Sequence, residues 1–361
     1  MKIGVLTFHF AYNYGAMLQA YALSRFLNNL KDVKCEIVDY RPRKIDYLYH
    51  PDIIDFCQHP KTILRNYFNR KLSKADSREF ERFINERFAL SKRVRNDKDF
   101  HTIVSQYDML FVGSDQVWNP VITGADKNYL FWNIPDTIRK NSYAASFGTN
   151  SLADDWKAEL RKALGNFQNI SVREQGGCFL LESILLEKKI EVISDPVFLL
   201  KLEEWREIAR TVDSPDKFIL FYSLNGSRDL EIQTEKLAQQ EGIKIVSVHP
   251  LFKPKLGEGR CDIGPELFLG LIDKAEYVCT DSFHATAFSI IFRKRILVKY
   301  DRERGNRIAN LFNMLKITLD ESENLIGRYD FSLLNNYEAN KLHKCGRRYI
   351  EECCGEEKRI N

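Results

Sequence analysis

Seven times along this 361-residue chain a short apolar run stops abruptly at small or polar residues. Met109 to Val112 leads into Gly113-Ser114-Asp115-Gln116, Asn141 to Ala145 into Ser146-Phe147-Gly148, and Ile170 to Val172 into Arg173-Glu174. Val192 to Ser194 meets Asp195-Pro196, and Phe218 to Tyr222 precedes Ser223 and Asn225-Gly226. Ile245 to Val248 precedes His249-Pro250, and Tyr277 to Cys279 precedes Thr280-Asp281. Helical stretches separate these runs. Strands that alternate with helices lie parallel and are covered on both faces, which is why each reads as an unbroken apolar run. Open parallel sheets bind ligands beyond the carboxyl ends of their strands, where these polar residues fall.

The chain opens with the same logic. Ile3 to Phe8 reads as a strand, Tyr12-Asn13-Tyr14-Gly15 as a turn, Ala16 to Leu30 as an amphipathic helix with Leu23, Leu27 and Leu30 on one face, and Cys35 to Val38 as a second strand. This is a βαβ unit. Its loop, Asn13, Tyr14 and Gly15, is placed either to receive a ligand at a helix N-terminus or to serve as ordinary turn chemistry. The expected fold class is therefore α/β with two mainly parallel Rossmann-like sheets, because a chain of this length exceeds one ordinary core. The expected division falls near residue 168, giving a first domain of residues 1–168 and a second of 169–328.

Charge is uninformative in total and informative locally. The net charge is only +4, which does not point to nucleic acid. Residues 61–98 nevertheless hold twelve basic residues against five acidic ones, a net of +7 that leaves −3 for the rest. Tyr67 and Phe68, then Phe80, Phe83, Ile84 and Phe88, recur there at helical spacing, so a basic helical insertion is expected at about 45–98. Such a helix either rests peripherally on an anionic membrane or turns its aromatics inward and its charges to water; the second reading is the commoner. No apolar run reaches the roughly 20 residues of a membrane helix, and the first residues read as a strand rather than a leader, so a cytoplasmic protein is expected. The eight cysteines show no ligand spacing and no metal site is expected.

Six segments hold most of the residues able to carry chemistry. They are Asn-Tyr-Gly-Ala-Met-Leu-Gln-Ala-Tyr-Ala-Leu at 13–23, Val-Gly-Ser-Asp-Gln-Val-Trp-Asn-Pro at 112–120, and Tyr-Ala-Ala-Ser-Phe-Gly at 143–148. Ser-Val-Arg-Glu at 171–174, Asp-Pro at 195–196 and Thr-Asp-Ser-Phe-His at 280–284 complete the set. Together these segments resemble the polysaccharide pyruvyl transferase family, and the resemblance covers the chain from its first strand to about residue 300; Ala285 departs from it, where the family commonly has glycine. It implies a GT-B-like arrangement of two domains facing across a cleft, with the tail at 329–361 helical and returning to the first domain. It also implies a pyruvate ketal formed on a sugar from phosphoenolpyruvate as co-substrate, with no other cofactor. The implied partners are phosphoenolpyruvate and a glycan or lipid-linked oligosaccharide acceptor of a surface polysaccharide such as capsule or exopolysaccharide.

The residue types can be weighed against that chemistry. A donor with a carboxylate beside a phosphate calls for bidentate arginine and a helix N-terminus. Arg173, directly after a strand, is the leading donor residue, with an ion pair to Glu174 or across the domains as its structural alternative. Histidine is the side chain suited to proton transfer near neutral pH, and His284, expected as general acid, stands where a helix begins after a strand, with Thr280, Asp281 or Ser282 as cap; the resemblance assigns it to the donor site, with Ser282 beside it. On the acceptor side, Asp115, Gln116, Trp118 and Asn119 combine carboxylate, amide and indole, Asp115 is either a catalytic base or a cap, and the loop of Asn13, Tyr14 and Gly15 is expected to hold the acceptor with them. Asp195 is expected to be structural, and His249 also stands at a strand end where it could line the cleft. The competing functions are a GT-B glycosyltransferase using a sugar nucleotide and a carbohydrate-binding member without turnover.

Overall fold

The computed structural model describes residues 1–46, 77–300, 307–318, 320–322 and 326–355. Most of the expected insertion, including Tyr67 and Phe68, lies outside the described residues.

The first sheet contains β1 (Lys2–Leu6), β2 (Lys34–Ile37), β3 (Met109–Val112) and β4 (Arg139–Ser142), in the order β2-β1-β3-β4 with every pairing parallel. It continues past the expected division. Parallel bridges Asn141↔Asn169 and Ala145↔Val172 tie β4 to β5 (Ile170–Val172), which pairs in parallel with β6 (Ile190–Val192). The backbone ladder therefore runs across residue 168 and on to Val192. The second sheet has the order β12-β13-β11-β10-β7-β8-β9. Its strands β7 (Phe218–Tyr222), β8 (Lys244–Val248), β9 (Glu258–Arg260), β10 (Tyr277–Thr280) and β11 (Arg295–Lys299) are parallel, and β12 (Asp320–Ser322) and β13 (Ile326–Asp330) close one edge antiparallel. The α/β class with mainly parallel sheets is as the apolar runs required.

The helices that position the site are α1 (Tyr14–Asn28), α2 (Arg78–Arg87), α3 (Asp154–Leu164), α4 (Gln175–Glu182), α5 (Arg228–Glu241), α6 (Pro265–Lys274), α7 (Phe283–Ile291), α8 (Arg307–Met314) and α9 (Asn336–Cys354). Instead of the amphipathic helix expected at 16–30, α1 is buried on nearly every side from Tyr14 to Leu27. Its second face is apolar too, through Ala16, Met17, Ala20 and Tyr21, and a helix apolar all round belongs between two bodies rather than on one. One continuous aromatic core accordingly joins the two halves. Tyr14 stacks on Phe268 of α6 at 4.3 Å and 8°, and Tyr21 meets Trp205, which lies edge-on to Phe288 of α7.

In α2 the apolar stripe Phe80, Phe83 and Ile84 is buried. Its arginines Arg82 and Arg87 both reach the buried carboxylate of Glu266 in α6. In this described part of the basic segment the aromatics pack inward, while Arg82 and Arg87 pair with Glu266 instead of turning to water. At the other end, α9 returns to the first sheet: the Tyr349 hydroxyl donates to the Ser142 carbonyl (2.9 Å), Arg348 pairs with Glu191 (2.7 Å), and Ser194 donates to the Leu342 carbonyl (2.7 Å). A Cβ on Gly346 would lie 2.1 Å from the Tyr143 hydroxyl oxygen, so only glycine lets the helix approach this closely. No helix among the described residues is long and apolar enough to cross a membrane.

Candidate functional site

Four strand ends deliver charged side chains to one place. Arg173 follows β5, Asp195 follows β6, Asp115 follows β3, and His284 sits in the first turn of α7 after β10. Arg173 is 2% exposed and lies between the two carboxylates, Nη1 at 2.6 Å from Asp195 Oδ2 and Nη2 at 3.4 Å from Asp115 Oδ1. Its guanidinium also covers the Phe283 ring at 4.5 Å, and its Nε has no partner among the described residues. Asp195 Oδ2 also accepts from the Ser114 hydroxyl (3.2 Å) and stands 3.5 Å from His284 Nε2, which itself makes no hydrogen bond among the described residues. Asp195 Oδ1 accepts from the Val197 N–H (3.1 Å), so one carboxylate both starts the helical turn Pro196–Leu199 and organises the cluster. Burial alone would raise this carboxyl; the charges of His284 and Arg173 overcome that and hold it well below the usual carboxylate range.

Arg307, at the start of α8, brings a second guanidinium to 3.9 Å from Asp115 Oδ1. Burial, and then the charge of Arg173, push its affinity for a proton down. Two arginines and a histidine are thus packed around two carboxylates with donors left over. Such an excess of unmet donors is what an anionic ligand with several acceptor oxygens requires.

The local sequence explains the placement. Ser282 caps α7 by accepting from the Ala285 N–H (3.4 Å), while the Thr280 hydroxyl ties β10 to the Tyr222 carbonyl (2.6 Å). Asp281 is turned away to the loop after β7, accepting from the Ser223 hydroxyl and the N–H groups of Leu224 and Asn225. His284 lies against the backbone of α1: a Cβ on Gly15 would fall 2.0 Å from His284 Nδ1. Asp115 adopts φ of +69°, and the Ser114 N–H beside it donates to Gln19 of α1 (3.2 Å).

The structure brings Asp115, Arg173, Ser282, His284 and Gly15 together, Gly15 beside the histidine rather than on a separate acceptor surface. Two other expected ligand contacts are core residues. Tyr14 is fully buried, and its position between Phe80, Tyr222 and Phe268 leaves no face for a sugar. Trp118 is fully buried, donates its indole N–H to the Tyr129 carbonyl (3.1 Å) and packs on Phe147. An aromatic next to polar residues looks the same in sequence whether it faces water or the core. Asn13 caps α1 through the Ala16 N–H (3.1 Å), and Asn119 caps the turn at Pro120–Thr123 through the Val121 N–H (3.0 Å). Gln116 accepts from the Asn119 side chain (3.0 Å). Ala285 is fully buried in the core. His249 stacks on Phe252 at 3.7 Å, and burial pushes it down to about 4. No group of three or more His, Cys, Asp or Glu among the described residues is arranged to hold a metal ion.

The family model described as polysaccharide pyruvyl transferase matches residues 13–299. The chain belongs to this family. All but one of the charged residues just described fall within the matched span; Arg307 lies beyond it. No curated protein matches the sequence. Among solved structures, a putative UDP-N-acetylglucosamine 2-epimerase from Listeria monocytogenes shares 12% identity at a TM-score of 0.52, over 99% of this chain and 98% of that one. UDP-GlcNAc 2-epimerase from Neisseria meningitidis bound to UDP-GlcNAc shares 13% at 0.50, over 100% and 94%. An alpha-glucosyltransferase in complex with UDP and DNA shares 10% at 0.52, over 98% and 99%. These likenesses give the pyruvyl transferase chain a GT-B fold.

Reading the sequence alone missed two members of the site. Asp195 was expected to be structural, yet it is the carboxylate that Arg173 and His284 share. Its signal was present, since Ser194-Asp195-Pro196 ends a strand as Ser114-Asp115 does. Arg307 carried no such signal, because it opens a helix outside the recognised segments.

Proposed function

We propose that this pyruvyl transferase moves the pyruvyl group of phosphoenolpyruvate onto two hydroxyls of a hexose, forming a pyruvate ketal on a surface polysaccharide or its lipid-linked precursor. The observation that carries the proposal is the convergence of Arg173, Arg307 and His284 at the strand ends, with the Arg173 Nε left without a partner among the described residues. A small ligand bearing a carboxylate and a phosphate meets those donors, and arginine neutralises phosphate without a bound metal.

The chemistry divides between these groups. A proton delivered to the methylene carbon of the enol makes the adjoining carbon electrophilic, and the first sugar hydroxyl adds there. The second hydroxyl then displaces phosphate from the same carbon. Of the two hydroxyl protons, one replaces that spent on the new methyl group and the other leaves with phosphate. His284 Nε2 is the proton donor and faces the leaving phosphate; Arg307 and the Arg173 Nε hold the donor's anionic ends. Asp115, on the first-sheet side, takes the proton of the attacking hydroxyl. Asp195 keeps Arg173 and His284 oriented. A sugar nucleotide would instead need an acidic residue for its ribose hydroxyls, and two of the second-half carboxylates, Asp281 and Glu266, are already engaged.

The accompanying location is the cytoplasm. Titration calorimetry tests the donor assignment. Phosphoenolpyruvate is expected to bind, UDP is not, and Arg307→Ala is expected to weaken phosphoenolpyruvate by about tenfold or more, the loss of a charge-assisted contact. Binding of UDP without phosphoenolpyruvate would overturn it.

A further inference from the structure

One cavity stands apart from the charged cluster. It has a volume of about 480 Å³ and lies between α4 and α8, lined by Asn150, Glu174, Phe179, Leu180, Asn310 and Asn313 among others. That is within the roughly 300–1,000 Å³ of small-molecule sites.

Its lining is chemically specific. Glu174 is 2% exposed, and its Oε1 is fixed by the Ser146 hydroxyl (2.7 Å) and the Phe147 N–H (3.1 Å), while Oε2 has no partner among the described residues. A buried carboxylate oxygen without a donor is costly, so a ligand that fills the cavity is favoured if it brings hydroxyl or N–H groups. The exposed Asn313 amide offers a donor and an acceptor. Phe179 is 62% exposed, an uncommon state for phenylalanine, and gives the cavity an apolar face beside Leu180. Carboxylate, amide and one exposed ring are the pairing that a saccharide satisfies, with its hydroxyls in the plane of the sugar and its C–H groups on the face.

The cavity also has a fixed relation to the reacting centre. Asn310 donates to the Arg173 carbonyl (2.9 Å), and Glu174 is the next residue after Arg173. Along α8, Arg307 reaches Asp115, Asn310 lies three residues on and Asn313 three further, so successive steps of about 4.5 Å lead from the charged cluster into the cavity. We infer that this cavity binds a sugar unit of the acceptor glycan, with Glu174 and Asn313 reading its hydroxyls and Phe179 supporting its ring. Calling the saccharide an acceptor rests on the pyruvyl-transfer reading above; the binding itself does not.

Ligand-observed saturation-transfer NMR on the full chain tests it, with methyl β-galactoside, methyl β-glucoside and methyl N-acetyl-β-mannosaminide as probes. Phe179→Ala and Asn313→Ala alter exposed positions, and circular dichroism and calorimetry with phosphoenolpyruvate report whether each variant keeps its fold and donor affinity. Transfer to at least one glycoside is expected, weakened roughly two- to tenfold in each variant, as loss of a ring or hydrogen-bond contact implies, with phosphoenolpyruvate affinity unchanged. No transfer to any glycoside by the wild-type protein, or equal transfer in both variants, overturns the inference. Failure of phosphoenolpyruvate to bind removes the donor reading instead, and the glycoside measurement still decides the cavity.

Discussion

Arg173 holds its charge between carboxylates from two different strands, and a third strand supplies the histidine that faces one of them. The Asp195 carboxyl lies below its unfolded value of about 3.9, so it stabilises the fold above that pH and loses the contribution as pH falls through the folded value. Asp195→Asn leaves Arg173 without its closest partner and is expected to cost about 3–5 kcal/mol at neutral pH. Thermal melts of both proteins down an acid series should show that gap closing; a gap independent of pH contradicts the account. Gly15 acts by what it lacks. Gly15→Ala places a methyl 2.0 Å from His284 Nδ1 and must displace the imidazole. Turnover is expected to fall about 100-fold, with the melting midpoint changed far less, since small misplacements of catalytic groups are costly.

Among the elements, α1 does most to set the geometry, because it packs on the second half with one face and on the first sheet with the other. Its Tyr14 hydroxyl is buried with no partner among the described residues. Tyr14→Phe is therefore expected to leave denaturant stability unchanged or raised, whereas Tyr14→Ala is expected to cost about 3–5 kcal/mol. A large loss in the Phe variant would show that the hydroxyl has a role. The same helix marks the limit of what was legible in advance. Strand runs such as Met109–Val112 and Phe218–Tyr222 were readable to the residue, because burial on both faces leaves an unbroken apolar signature. The charged residues Asp115, Arg173 and His284 were legible from their place after strands. The depth of Tyr14 and Trp118 was not, since burial depends on segments far away in the chain: Phe268 for the first, Phe147 and Phe167 for the second. Asp195 failed for a different reason, because one of its oxygens does play the structural part expected of it and only the other joins the site.

Across the whole molecule, the first sheet runs on through β6, and α9 comes back from the second half to cover it. Tyr143, Ser142 and Ser194 all meet that helix, so the strand ends that carry Arg173 and Asp195 are braced by the last element of the chain. Removing residues 336–361 is expected to abolish cooperative melting in calorimetry, because it uncovers buried Leu342, Tyr349 and Ile350 and the surface beneath them; a truncated chain that melts as sharply as the full one would show the helix to be an appendage. With both halves held this way, residues of both halves meet at one cluster, and the central proposal is that pyruvyl transfer takes place there. Its most direct measurement is to incubate the full chain with phosphoenolpyruvate and a panel of galactosides, following phosphate release and the sugar's mass together. The account predicts phosphate released in step with a sugar heavier by one pyruvyl ketal, and the loss of both in His284→Ala. Phosphate release that persists unchanged in His284→Ala, or appears without any change in the sugar, would contradict it.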